Sequence, residues 1–128
     1  MDVRKTVGFV QVADTDRARA FYEGVLGLSL RDDGYALVAE FPGSLLRITT
    51  IPGYTPPEHP VFALEVDDPS AVAAELSAKG VTFERHAFLG DAQGQDGIWT
   101  GPDGTRVGWF KDPDGNLLMI SSHAAPKA

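Results

Sequence analysis

A chain of 128 residues with 43% hydrophobic and 23% charged side chains has the make-up of one folded domain, which excludes a wholly disordered chain and a repetitive fibre. Eleven Lys plus Arg against eighteen Asp plus Glu leave a net charge of -7, a field that repels phosphate backbones and argues against nucleic-acid binding. Cysteine is absent, which removes disulfides, thiol catalysis and thiolate metal sites. No apolar run approaches the roughly 20 residues that span a bilayer, and residues 1–11 lack a signal peptide's apolar block, so a soluble cytoplasmic protein is expected.

Residues 6–12 are rich in β-formers and open the chain as a strand. Ala18, Phe21, Tyr22, Val25 and Leu26 then recur at the spacing of one buried helical stripe, with Asp14 or Thr15 as the N-terminal cap and Gly27 as the stop. Strands are expected near 28–31, 35–40 and 45–50. Prolines at 52, 56, 57 and 60 make residues 51–60 an extended link. A strand at 61–66 follows, then a helix capped by Asp68, with Pro69 in its first turn, Val72 and Leu76 as its stripe and Gly80 as terminator. Further strands are expected near 81–86, 106–111 and 117–122, and residues 123–128 form a tail that frays.

The chain repeats itself. Val12-Ala13-Asp14 matches Val66-Asp67-Asp68 at an offset of 54 residues, each after a strand and before a helix. The run from Gly43 to Thr50 matches the run from Gly115 to Ser122 at an offset of 72. The difference between the two offsets, 72 minus 54, puts about 18 extra residues in the second copy, near 86–105. The reading is one α+β domain of two tandem βαβββ units, 4–50 and 61–122, forming a curved mixed sheet around a cavity.

This doubled unit, with Asp14 through Phe21-Tyr22 to Leu26-Gly27-Leu28 and with Trp109-Phe110-Lys111-Asp112-Pro113-Asp114-Gly115-Asn116, resembles the vicinal oxygen chelate superfamily. That group includes glyoxalase I, extradiol dioxygenases, fosfomycin-resistance enzymes and bleomycin-resistance proteins. In its metal-dependent members carboxylates and histidines from both units meet in the cavity. The resemblance puts those ligand positions at Val7, Arg47, Val61 and Met119, none of which carries a carboxylate or an imidazole. The expectation is therefore a site with no metal and no cofactor. His59, two residues before Val61, is the rival ligand if the register is slipped, but no acidic partner stands at the matching end of either unit.

Strand alternation puts Val7, Phe9 and Gln11 on one face, as it does Val61, Ala63 and Glu65, while Val10, Val12, Phe62, Leu64 and Val66 face the helices. The first set is expected to line the cavity. Arg47, buried there, would need an anion, either Glu65 or a ligand carboxylate or phosphate; the bland alternative is a solvated arginine at a strand edge. Trp99 and Trp109 flank the Gly-rich stretch Gly90 to Gly104, and Leu89 to Gly104 is expected to be the most mobile ordered segment. Trp99 reads either as part of a lid that stacks on a planar ligand or as core, and Trp109 as core filling. His86 and His123 read as solvated. The candidate ligand-binding set is Phe9, Gln11, Arg47, His59, Glu65, Trp99, Trp109 and Met119, with no catalytic residue assigned. The leading reading is a metal-independent binder of an amphiphilic or aromatic small molecule, similar to bleomycin-resistance proteins. The alternative is an isomerase, lyase or dioxygenase-like enzyme of the same fold. The antibiotic-binding relatives imply a homodimer with its ligand at the interface.

Overall fold

The computed structural model describes residues 1–123; of the expected tail, all but His123 lies outside them. Two compact units emerge, one of Met1–Val61 with Asp112–Asn116, the other of Phe62–Lys111 with the described residues from Leu117 on.

In the first unit β1 (Thr6–Val12) leads to α1 (Thr15–Arg19), and β2 (Leu30–Asp32), β3 (Leu37–Phe41) and β4 (Ser44–Thr50) follow. They form one mixed sheet in the order β1-β4-β3-β2, with β1 parallel to β4 and the other pairs antiparallel. Burial alternates along β1 as the sequence predicts: Val10 and Val12 are in the core, Val7, Phe9 and Gln11 are not. Leu46 and Ile48 of β4 and Leu37 and Ala39 of β3 complete the buried face, on which α1 packs. The Asp14 carboxylate caps α1 by accepting from the Arg17 amide at 2.8 Å. The expected single helix does not run on to Gly27. Residues Ala20–Val25 form a π-helical turn, closed by the Leu26 amide on the Phe21 carbonyl. The wider turn keeps Phe21 and Tyr22 buried and leaves Val25 and Leu26 only half-buried.

Within this unit the link 51–60 and the loop 112–116 are tied by polar contacts. The Tyr22 hydroxyl donates to Asp112 Oδ2 at 2.7 Å, and the Tyr54 hydroxyl to Asn116 Oδ1 at 2.7 Å. Asn116 Nδ2 donates to Asp112 Oδ2 and to the Gln11 carbonyl, each at 2.8 Å, and Arg17 pairs with Asp114. Tyr22, Asp112 and Asn116 are buried, so these bonds satisfy groups that water does not reach.

The second unit has β5 (Pro60–Glu65) from Phe62 on, α2 (Pro69–Ala78), β6 (Trp99–Thr100), β7 (Arg106–Lys111) and β8 (Leu117–Ser122), and its sheet has the order β5-β8-β7-β6. The same strand pattern thus recurs, and Leu118 and Ile120 are buried here as Leu46 and Ile48 are in the first unit. Asp68 caps α2 as expected, with Pro69 in the first turn and Gly80 beyond the end at φ 92°. Its buried stripe is Pro69, Ala73 and Leu76, with Val72 half-buried.

One expected strand is missing. Residues 81–86 make a single bridge, Phe83 to Phe110, and β6, inside the extra segment, takes the edge beside β7. The cause is Gln93, whose buried carboxamide imitates a neighbouring peptide. Its Nε2 donates to the Glu84 and Gly97 carbonyls at 2.8 and 2.9 Å, and its Oε1 accepts from the His86 amide at 2.8 Å. A side chain consumes the groups a strand ladder would need. The Arg85 guanidinium holds the Gly94 carbonyl at 2.8 Å, and a 3-10 helix, Ala87–Ala92, occupies the intervening stretch. Gly108 is required in β7, since a Cβ there would sit 2.7 Å from Ile98 and 3.0 Å from Phe83.

Candidate functional site

On the open face of the first sheet, Phe9 and Val38 flank Arg47 in register, and Val7 lies opposite Leu45. Alternation puts these side chains on one side. Phe9 is 62% and Val7 47% exposed, whereas Val38 is buried in the strand beside Arg47. Gln11, opposite Thr49, is exposed farther along the same face.

Arg47 has a partner, though not Glu65. Its Nη1 donates to Asp33 Oδ2 at 2.8 Å. Asp33 lies in the turn between β2 and β3, where Gly34 takes φ 91°, and its Oδ1 accepts the Tyr35 and Ala36 amides at 2.9 Å each. Those two amides first, and then Arg47, lower the Asp33 pKa to about 2. Among the described residues nothing else bonds the guanidinium, so its Nε–H and second terminal NH2 are unpaired although the side chain is only 27% exposed. That is the edge which matches a carboxylate in a fork. The neighbouring Arg31 is spent on Glu40 at 2.7 Å.

The remaining candidates fall elsewhere. His59 precedes β5 instead of sharing its face; it is exposed, with Nδ1 3.0 Å from the Pro60 carbonyl. Glu65 ends β5, exposed, in an open groove of about 430 Å³ with Val66, Asp67, Ser122 and His123. In the second sheet Trp109 pairs with Met119 and Trp99 with Val107, which puts both indoles and the thioether on one face. Each is half-buried. The Trp99 ring lies over Gly101, where a Cβ would stand 2.8 Å from it. The Trp109 ring meets the edge of His86 at 5.2 Å between centroids, so His86 is packed and not simply solvated. A second groove of about 570 Å³, lined in part by Ser70, Asp96 and Arg106, holds a guanidinium already engaged by Ser70 and by Asp68 at 3.4 Å.

Asp33 was not singled out in the sequence, and His86 was expected to be solvated instead of packed on Trp109. A signal for the first exists in Asp32-Asp33-Gly34, a turn sequence between expected strands; the second has none, because its contact forms across the sheet.

The metal positions implied by the resemblance do not fit a cation. Val7 and Val61 are hydrocarbon, Met119 is a thioether opposite Trp109, and Arg47 is itself a cation paired with a carboxylate. Among the described residues no group of three His, Asp or Glu side chains is arranged to hold a metal ion. Among the described residues no helix is long and apolar enough to cross a membrane.

The family model of the Glyoxalase/Bleomycin resistance protein/Dioxygenase superfamily matches residues 5–120. No curated protein matches the chain. Among solved structures it is similar to a glyoxalase family protein from Bacillus anthracis, with 15% identity over 97% of this chain and 96% of that one and a TM-score of 0.71. UcmS2 is 22% identical over 94% and 98% of the two chains, with a TM-score of 0.71. A lactoylglutathione lyase from Agrobacterium tumefaciens is 17% identical over 91% of each chain, with a TM-score of 0.66. At these identities the likeness is one of fold.

Proposed function

The chain belongs to the Glyoxalase/Bleomycin resistance protein/Dioxygenase superfamily, and within it we propose a metal-independent binding protein that sequesters an amphiphilic small molecule by its anionic group. The observation that carries this reading is the half-paired guanidinium of Arg47 beside the exposed Phe9 and Val7. Asp33 fixes one edge of the guanidinium, and the other edge is left for a ligand carboxylate, while Phe9 and Val7 cover the ligand's apolar body. Gln11 supplies a neutral donor and acceptor on the same face. Around Arg47 the charge that a metal would provide comes from the guanidinium, so the ligand is held by hydrogen bonds and not by chelation.

Among the described residues no side chain beside Arg47 is set up as a base. Asp33 is committed to two amides and a guanidinium, and Gln11 does not titrate, which favours holding the ligand over converting it. The proposal extends to a cytoplasmic homodimer that confers resistance by sequestering a toxic amphiphile.

Calorimetric titration with dodecanoate and with dodecanol, in EDTA, tests the reading. Dodecanoate is expected to bind more tightly than the alcohol. Arg47→Met, which installs the residue found at the repeat position 119, is expected to weaken dodecanoate binding by about 1.5–3 kcal/mol and to leave dodecanol unchanged. Equal losses for both compounds, or binding abolished by EDTA, would overturn it.

A further inference from the structure

The second unit carries a cluster that the Arg47 reading does not use. Phe88, on the 3-10 helix, is 85% exposed, yet its ring is not isolated: it lies 5.6 Å from the His86 ring at 37°. His86 in turn stands edge-on to Trp109 at 5.2 Å and 86°. Glu84, two residues before His86 on the same extended segment, has Oε1 at 4.0 Å from His86 Nε2 and Oε2 at 3.7 Å from Lys111 Nζ. Both separations exceed hydrogen-bond length, and among the described residues no donor bonds either oxygen. A half-buried carboxylate with open acceptor sites therefore sits beside the His86 ring, which itself meets the rings of Phe88 and Trp109.

We propose that Trp109, His86, Phe88 and Glu84 form a binding site for a planar aromatic cation. An exposed phenyl ring beside a fixed Trp–His pair offers a stacking face. The electron-rich faces of Phe and Trp attract positive charge, and a nearby carboxylate without hydrogen-bond donors accepts an N–H from the ligand. The chain's net charge of -7 draws cations toward it at long range. Of the local cations, Arg85 is turned to the Gly94 and Gln95 carbonyls, which leaves Lys111 as the competitor for Glu84. The Lys111 side chain is largely exposed, so it yields at little cost.

Fluorescence titration with 9-aminoacridine, a cation at pH 8, and with acridine, the uncharged ring at that pH, tests the site on the whole chain. Saturable binding of 9-aminoacridine is expected, tighter than that of acridine. Phe88→Ala is expected to weaken both probes about three- to tenfold. Glu84→Gln is expected to weaken the cation about tenfold or more with little effect on acridine, and Lys111→Met to tighten the cation. Phe88 and Lys111 are exposed, so these two variants keep the fold and make the test independent of Glu84→Gln. Arg47→Met should change none of these values. Absence of saturation, equal affinities unmoved by Glu84→Gln and Lys111→Met, or a loss seen only in Arg47→Met would overturn the proposal.

Discussion

Arg47 is anchored on one side by a carboxylate that is itself held by the backbone, and this order of causes has a measurable consequence. The Tyr35 and Ala36 amides lower the Asp33 pKa more than Arg47 does, and together they bring it from 3.8 to about 2. A carboxyl group whose folded pKa lies below its unfolded value stabilises the fold above the unfolded value, and the contribution is lost as pH falls through the folded one. The turn between β2 and β3 should therefore keep its full hold on Arg47 above about pH 4 and release it as pH falls toward about 2. Carboxyl-carbon NMR titration checks this. Asp33 is expected to titrate near 2 in the native chain and, because the amides remain, still well below 3.8 in Arg47→Met. A midpoint at 3.8 in the native chain would contradict the assignment. Tyr22 has the opposite sign: burial first, then the charge of Asp112, drive its pKa upward. Its contribution is present below the unfolded value near 10 and is lost at more alkaline pH.

Elements that rest on local rules were legible in the sequence. The alternation of Val10 and Val12 with Phe9 and Gln11 and the Asp14 and Asp68 caps each act within a few residues, and β1, α1 and α2 follow them, while β4 and β8 follow the match of Gly43 to Thr50 with Gly115 to Ser122. The segment 81–86 did not, because its backbone partner is the Gln93 side chain, seven to nine residues on. Gln93→Leu is expected to destabilise the chain by more than about 2 kcal/mol, since it leaves two carbonyls and an amide unpaired in or near the core. Urea unfolding measures this, and a loss under about 0.5 kcal/mol would show that the carboxamide does not hold the segment. The loop 112–116 follows the same logic. Tyr22→Phe removes one of the two donors on Asp112 Oδ2 and should cost about 1–3 kcal/mol, with the sensitivity to pH above 10 reduced. An unchanged midpoint in urea would mean that the hydroxyl is dispensable.

For the molecule as a whole, the doubled architecture was readable because two matched motifs at different offsets define a repeat with an insertion. The candidate site was readable only in part. Repeat register set Arg47 beside Phe9, but its partner Asp33 depends on a turn fourteen residues away, and the Trp109–His86 contact depends on which segment lies beside β7. No period in the sequence encodes either pairing. The homodimer belongs to the proposal and is checked by sedimentation equilibrium, where a monomer at all concentrations would remove it. The central claim is that an anionic amphiphile is held by the free edge of Arg47 without a metal. The most direct measurement is the Arg47 Nε–H resonance, followed by 15N NMR while dodecanoate is added in EDTA. A saturable downfield shift of that resonance, which tracks occupancy and is absent with dodecanol, is expected. Dodecanoate binding that leaves the Arg47 Nε–H signal unmoved would contradict it.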